Sequence, residues 1–154
     1  MEMPKPTEAH KQMERLAGSW SGEETMYPSQ WDPTGGTATA RIDSRLALDG
    51  FALIGDYEQQ RGGVVTFRGH SVWTYDGQAN EYLLHWFDSM GCPPNVFRGK
   101  LDGDALTVTC RDATGNWRLT YHFVGEGQLR TRMDISQDGE QWTTMFEGSY
   151  TRQG

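Results

Sequence analysis

The fold is decided by residues 105–136, which read ALTVTCRDATGNWRLTYHFVGEGQLRTRMDIS. Within this stretch Leu106, Val108 and Cys110 alternate with polar residues, and the same alternation returns after Gly127. A period of two is typical of a β-strand with one buried face. Glycines at positions 115, 125 and 127 divide the stretch and favour tight turns. The stretch therefore predicts three antiparallel strands.

Similar glycine-containing turn signals recur along most of the chain. Turn glycines from Gly63 to Gly139 stand 14, 14, 12, 12, 12 and 12 residues apart. This spacing leaves about nine or ten residues per strand, or roughly 30 Å at about 3.3 Å per residue. The pattern predicts ten strands, at residues 19–27, 37–48, 51–61, 64–75, 81–89, 95–101, 105–111, 116–124, 128–136 and 141–152.

Ten long antiparallel strands with short turns twist strongly, and closing them into a ring removes the edges that promote aggregation. We therefore predict an all-β fold, a roughly ten-stranded up-and-down antiparallel barrel. About eight strands are enough for side chains to fill a barrel, so ten predict an internal cavity. A flattened two-layer sandwich with a filled core fits the same pattern and is the alternative.

One helical pattern lies near the start of the chain. Thr7 is a suitable N-cap, and Ala9, Met13 and Leu16 fall near helical spacing before Gly18 ends the pattern. We expect one domain over residues 1–154, with a short N-terminal helix at 7–17 that caps one end of a barrel at 19–152.

Composition excludes several classes of function. The chain has 154 residues and a net charge of −7, so nucleic acid and anionic membrane surfaces would repel it. It contains no apolar run of the length that a membrane span needs and no signal-peptide pattern. Its two cysteines form neither a disulfide framework nor a zinc pattern. We expect a soluble cytoplasmic protein with free thiols and no metal site.

Several short motifs together carry a resemblance. The segment from Leu16 to Gly22 leads from a helix into Gly-x-Trp-x-Gly, and it is followed by Leu48-Asp49-Gly50-Phe51, Tyr75-Asp76-Gly77, Trp86-Phe87-Asp88-Ser89-Met90-Gly91 and a final Tyr150-x-Arg152. The opening resembles that of calycin-like barrels, the group of lipocalins and fatty-acid-binding proteins. The whole set resembles a bacterial calycin-like family of unknown function. That resemblance implies a barrel with Trp20 at its base. It transfers no activity to this chain, because the family has no established one.

A more distant resemblance is to a family with a defined cofactor. Gly18-x-Trp20-x-Gly22 followed by Tyr27-Pro28 is similar to the start of the nitrobindins, which are haem-binding barrels. In that family the proximal histidine lies on the last strand, and this chain has Met145 at the matching place. The resemblance points Met145 inward, whereas the pattern from Trp142 to Tyr150 puts the even positions inside. A β-bulge would reconcile the two.

Aromatic and apolar residues on predicted strands are the first candidates for a ligand site. If they face inward, they line either a small-molecule pocket or a plain core, and a barrel of this width has room for both at different heights. These candidates are Trp20, Trp73, Leu84, Trp86, Trp117, Tyr121, Met133, Met145 and Phe146.

Polar candidates are fewer. Arg98 is predicted to be a near cross-strand neighbour of Asp88, either as an inward anchor for a ligand carboxylate or as an ordinary surface ion pair. Glu24 has inward parity and is either a buried acid or base or a wet residue near the barrel mouth. His85 and His122 are either a weak metal pair or outward residues.

The sequence favours a non-enzymatic protein that holds an apolar or amphipathic small molecule, with Arg98, His85 or Glu24 as polar anchors. Two alternatives stay open: a small cofactor-independent enzyme that uses an inward Glu, Tyr and Arg, and a nitrobindin-like haem protein. No other cofactor is expected. A homodimer formed through an outer sheet face is a further possibility.

Overall fold

The computed structural model describes residues 1–30 and 32–153. Ten antiparallel strands form a closed ring in which each pairs with its neighbours along the chain and the last returns to the first. The strands are β1 (Gly18–Met26), β2 (Gly36–Ala47), β3 (Ala52–Arg61), β4 (Val64–Asp76), β5 (Glu81–Asp88), β6 (Asn95–Asp102), β7 (Ala105–Asp112), β8 (Gly115–Gly125), β9 (Gln128–Ser136) and β10 (Thr143–Gln153). The predicted barrel is confirmed, and ring closure excludes the sandwich.

A short helical segment covers one end of the ring, which we call the base. Helix α1 (Glu8–Lys11) continues directly as a 3₁₀ helix (Gln12–Leu16). A 3₁₀ helix repeats every three residues, so Met13 and Leu16 lie on one side, and both are buried against the barrel. The hydroxyl of Tyr82 ties the segment down by donating to the carbonyl of Ala9 at 2.6 Å.

The base of the barrel is filled. Trp20, Leu53, Leu84, Val108 and Leu129 are each at most 1% exposed and belong to one hydrophobic cluster. The indole of Trp20 donates to the carbonyl of Leu16 at 3.1 Å. Burying side chains of this size contributes about 1.5–3 kcal/mol each, so this end stabilises the fold. The opposite end, formed by the turns after β1, β3, β5, β7 and β9, is the mouth.

A β-bulge in β10 changes which residues face inward. Thr144 pairs with Asp134 and Phe146 pairs with Met133, so Met145 is an extra residue in β10. After the bulge the even positions, including Gly148 and Tyr150, are buried inside. The prediction that even positions face the core is therefore right for the second half of the strand.

Before the bulge the prediction is wrong, because the extra residue reverses the parity. The hydroxyl of Thr144 donates to Asp134 at 2.8 Å on the outer face. Trp142 precedes the strand instead of lying on it, and the guanidinium of Arg118 stacks on its ring with the central carbon 4.2 Å from the ring centre. Asp134 is 2% exposed and also accepts hydrogen bonds from Arg118 and Arg132.

Candidate functional site

Several inward side chains beyond the filled base are only half-buried, although they point into the barrel. Tyr57, Phe67, Trp86, Tyr121 and Met133 all keep partial exposure. Partial exposure at inward positions means that space at least as wide as a water molecule remains beside these side chains inside the barrel. The aromatic interior is thus core at the base and cavity wall nearer the mouth.

A buried carboxylate lies in this interior. Glu24 on β1 is 2% exposed, so the expectation of a wet residue at the mouth is wrong. Its Oε1 accepts hydrogen bonds from the hydroxyl of Tyr57 and, at 3.2 Å, from the amide of Gln59. Tyr150 on β10 is also hydrogen-bonded to Glu24. We call Glu24, Tyr57, Gln59 and Tyr150 the interior polar cluster. Its donors compensate the cost of burying the carboxylate.

The tyrosines around Glu24 are held in their neutral, proton-donating form. Burial and then the negative charge of Glu24 raise the pKa values of Tyr57 and Tyr121 far above the ordinary value of 10.0. The same two causes raise the pKa of Tyr150 well above 10.0. Each hydroxyl therefore remains a donor at neutral pH.

Glycines make room for the aromatic residues of the cluster. The ring of Tyr150 lies so close to Gly22 and Gly148 that a side chain at either position would collide with it. Gly22 and Gly148 belong to β1 and β10, so this packing holds Tyr150 across the junction of the first and last strands. Its hydroxyl thereby reaches Glu24.

An aromatic wall stands beside the polar cluster. The rings of Phe67 and Trp86 stack at a centroid distance of 6.4 Å with 17° between their planes. Tyr57 meets the Trp86 ring edge-on at 6.1 Å. The indole N–H of Trp86 donates to Asp88 at 2.8 Å, which orients the ring. Such a wall with few polar groups is typical of small-molecule sites.

Two open pockets lie near this interior. One of about 730 Å³ is at the mouth, where Pro28, Ile135 and Met145 contribute to its lining. The other, of about 640 Å³, lies along β2 to β5 and is lined largely by charged residues such as Arg41, Glu58 and Arg68. Tyr57 of the interior polar cluster and Asp88 also contribute to its lining.

Comparison with known proteins identifies the family. A family described as "Protein of unknown function (DUF1579)" matches residues 5–152. The chain belongs to this family. No curated protein matches the sequence.

Two solved structures share the fold of this family member. The crystal structure of Rv2717c from M. tuberculosis superposes with a TM-score of 0.75 at 13% identity, covering 96% of this chain and 99% of that one. The S-type phycobiliprotein lyase CPES from Guillardia theta superposes with a TM-score of 0.64 at 11% identity, covering 96% and 94%. At these identities the likeness shows the fold alone. Among the described residues, no helix is long and apolar enough to cross a membrane.

The structure separates the other residues that the sequence singled out. Trp73 and Leu84 are buried in the filled base with Trp20, whereas Trp86, Tyr121, Met133 and Phe146 are half-buried on the inward face. The half-buried Trp117 donates its indole N–H to Asp112 at 3.1 Å. The inward aromatic set thus includes both core and cavity wall.

Two polar candidates do not reach the interior. Arg98 is exposed and its nearest carboxylates are Asp76 at 3.6 Å and Glu81 at 3.5 Å, so the expected pairing with Asp88 is wrong. Asp88 points inward and Arg98 outward, because their strands are offset in register: Arg98 lies opposite Leu83. His85 lies on the outer face, 3.3 Å from the hydroxyl of Thr74.

The residues present do not fit haem. All four histidines are within the described part of the chain, and none faces the barrel interior. His10 packs at the base against Phe51, His70 pairs with Asp56 outside, and His122 is exposed. Met145 sits in the β10 bulge at the mouth pocket, without an imidazole beside it. No group of three metal-binding side chains occurs among the residues that the structure describes.

Sequence reasoning missed three members of the site: Tyr57, Gln59 and Tyr150. One signal was available, because Tyr57 and Gln59 alternate with the charged Asp56 and Glu58 along β3. Two neighbouring inward positions that carry polar groups are unusual for a filled barrel. The partner of those groups, Glu24, is 33 residues from Tyr57 and could not be paired with it without the sheet register.

Proposed function

We propose that this protein binds an amphipathic small molecule inside the barrel, without transforming it. The apolar part of the ligand packs against Phe67, Trp86 and Tyr121, and its polar part meets the interior polar cluster. The supporting observation is the contrast inside one barrel: the base is filled, yet aromatic side chains beside a buried carboxylate keep solvent-accessible surface. A protein selected only for stability gains by filling such space.

Native mass spectrometry of the protein purified from cells tests this proposal. We expect a retained mass that is released on denaturation. Trp86→Ala should abolish retention, because it removes part of the cavity wall. Trp142→Ala is the matched control, since it removes the same residue type from the outer face, where Arg118 packs on it. A bare protein that also fails to bind any of a panel of aromatic amphiphiles would overturn the proposal.

An enzyme that moves a proton is the second candidate, favoured by the contact between Glu24 and the hydroxyl of Tyr57. Its test uses the molecule that native mass spectrometry captures. That molecule would be incubated with protein in D₂O and analysed for deuterium bound to carbon. Deuterium incorporation that Glu24→Gln abolishes would support catalysis. No incorporation above the protein-free control, together with retained binding, would support pure binding.

A further inference from the structure

Resting on the proposed binding function, we infer that the cavity selects an amphiphile with a cationic amine head and rejects the corresponding carboxylate. The amine would donate to Glu24 of the interior polar cluster, and the apolar body would lie along the wall formed by Phe67 and Trp86. This ligand class is set by the sign of the charges that face the interior.

The interior contains the buried carboxyl group of Glu24, whose partners among the described residues are Tyr57, Gln59 and Tyr150 and include no Lys or Arg. All 14 Lys and Arg residues lie in the described part of the chain, and none is buried. Three of them are half-buried, and each of these is already paired with an aspartate. Arg61 alternates in step with Tyr57 and Gln59 along β3 and lies at the mouth end of that strand. The pairs are Arg15 with Asp104 at the base, Arg61 with Asp32 at the mouth, and Arg118 with Asp134 on the outer face.

The inward polar groups are acceptors or neutral donors. Besides Glu24, the carboxylates of Asp88 and Asp112 accept hydrogen bonds from the inward indoles of Trp86 and Trp117. The tyrosine hydroxyls near Glu24 are neutral. A ligand carboxylate would therefore enter a poorly solvated space that already holds a negative charge, where repulsion between like charges is strong.

An ammonium group reverses that balance. Glu24 already accepts from Tyr57 and Gln59 at Oε1 and is hydrogen-bonded to Tyr150, and because a carboxylate offers about four lone-pair sites, about one site is left for a further donor. A donor from the ligand completes the coordination of the carboxylate, and its positive charge neutralises it. A neutral alcohol supplies the hydrogen-bond donor without the positive charge, so its affinity should lie between those of the amine and the carboxylate.

The test uses three probes that share one aromatic body: 2-(2-naphthyl)ethylamine, 2-(2-naphthyl)ethanol and 2-naphthylacetate. Calorimetry at neutral pH and 0.5 M NaCl is expected to rank them amine, alcohol, carboxylate, with at least about tenfold between the first and the last. High salt screens binding to the acidic surface but acts much less on an interior pair. This ranking in the unmodified protein needs no variant.

Variants then locate the preference. Glu24→Gln should weaken amine binding about tenfold or more and leave the affinity for the alcohol within about threefold of its original value. The ratio between the amine and carboxylate affinities should therefore decrease. Glu23→Gln is the matched control, because Glu23 is the exposed neighbour on the same strand and its loss changes the net charge equally. It should leave all three affinities unchanged. Circular dichroism would show that both variants fold.

The outcomes separate this inference from the function on which it rests. Equal binding of the three heads, tighter binding of the carboxylate, or equal effects of Glu23→Gln and Glu24→Gln would overturn the amine preference while leaving a binding protein. Failure of all three probes, together with no retained mass from cells, would overturn both.

Discussion

The indole ring of Trp86 lies directly against the backbone of Gly69 on the neighbouring strand. No side chain larger than hydrogen can occupy position 69 while the ring keeps its place. This contact fixes the aromatic wall of the proposed cavity, so it offers a direct test of the interior packing.

Gly69→Ala is expected to destabilise the protein by about 1–3 kcal/mol, because the added methyl group overpacks the contact with Trp86. Urea unfolding would measure the change. Gly77→Ala is the control, since a Cβ at position 77 would meet no atom within 4 Å. It should change stability by less than about 0.5 kcal/mol. In a Trp86→Ala background, Gly69→Ala should lower the unfolding free energy only slightly, because the ring that the methyl group would meet is gone. A loss as large as in the original protein would contradict the assigned contact.

The outer cluster around Asp134 should contribute strongly to stability. Asp134 is 2% exposed and accepts hydrogen bonds from Arg118, Arg132 and Thr144. Asp134→Ala leaves Arg118, Arg132 and Thr144 without their acceptor, and because both guanidinium groups reach solvent we expect a loss of about 1–3 kcal/mol in unfolding free energy.

The control for this prediction is Asp104→Ala. Asp104 also pairs with an arginine, Arg15, but its side chain is 67% exposed. Exposed pairs are screened by water, so the loss should be less than about 1 kcal/mol. Equal losses in the two variants, measured by urea unfolding, would show that the cluster gains nothing from its burial.

Stability should fall in alkaline solution. The pKa values of Tyr57, Tyr121 and Tyr150 are raised in the folded protein above the ordinary 10.0. Their full contribution is present below about pH 10. As the pH rises further, the unfolded chain loses protons that the folded protein retains, so unfolding becomes more favourable. Each such tyrosine lowers the unfolding free energy by about 1.4 kcal/mol per pH unit.

Absorbance at 295 nm would follow tyrosine ionisation during that titration. The folded protein should ionise fewer of its six tyrosines than the same protein in guanidinium chloride, and the remainder should ionise only as it unfolds. Tyr57→Phe should reduce the alkaline slope of the unfolding free energy. Full reversible ionisation of all six in the folded state would refute the buried arrangement.

Haem added to the protein should keep the spectrum of free haem, because none of the four histidines, all within the described residues, faces the interior. Met145→Ala should behave identically. A shifted Soret band in the original protein, lost in Met145→Ala, would show instead that the methionine in the β10 bulge supplies a ligand.

The alternation and the turn glycines were enough to predict ten strands, because both signals are local in sequence. They also placed Trp20 and Glu24 on the inward face. The parity before Met145 was not predictable, since a bulge depends on how two strands pair and one strand's pattern does not show it. The position of Arg98 could not be predicted for a similar reason. Arg98 lies opposite Leu83, five residues from Asp88, and an odd offset in register sends a side chain to the other face of the sheet.

The burial of Glu24 could not be predicted from the sequence either. Whether an inward carboxylate is wet or enclosed depends on donors from distant strands, here Tyr57 and Tyr150. Tyr57 approaches Glu24 once β1, β2 and β3 have paired, whereas Tyr150 approaches it only when β10 pairs with β1.

That closure gives the chain an order of assembly. Pairing between β1 and β10 joins Gly22 to Tyr150 and Glu24 to Gly148, residues more than a hundred positions apart. Contacts of such long range form late, since the whole intervening chain must first be ordered. A chain that lacks β10 could pair Glu24 with Tyr57 and Gln59 of β3, but it would lack Tyr150, the member of the interior polar cluster that the last strand supplies. The proposed cavity therefore has a complete wall and a complete polar cluster only when the final strand has paired with the first.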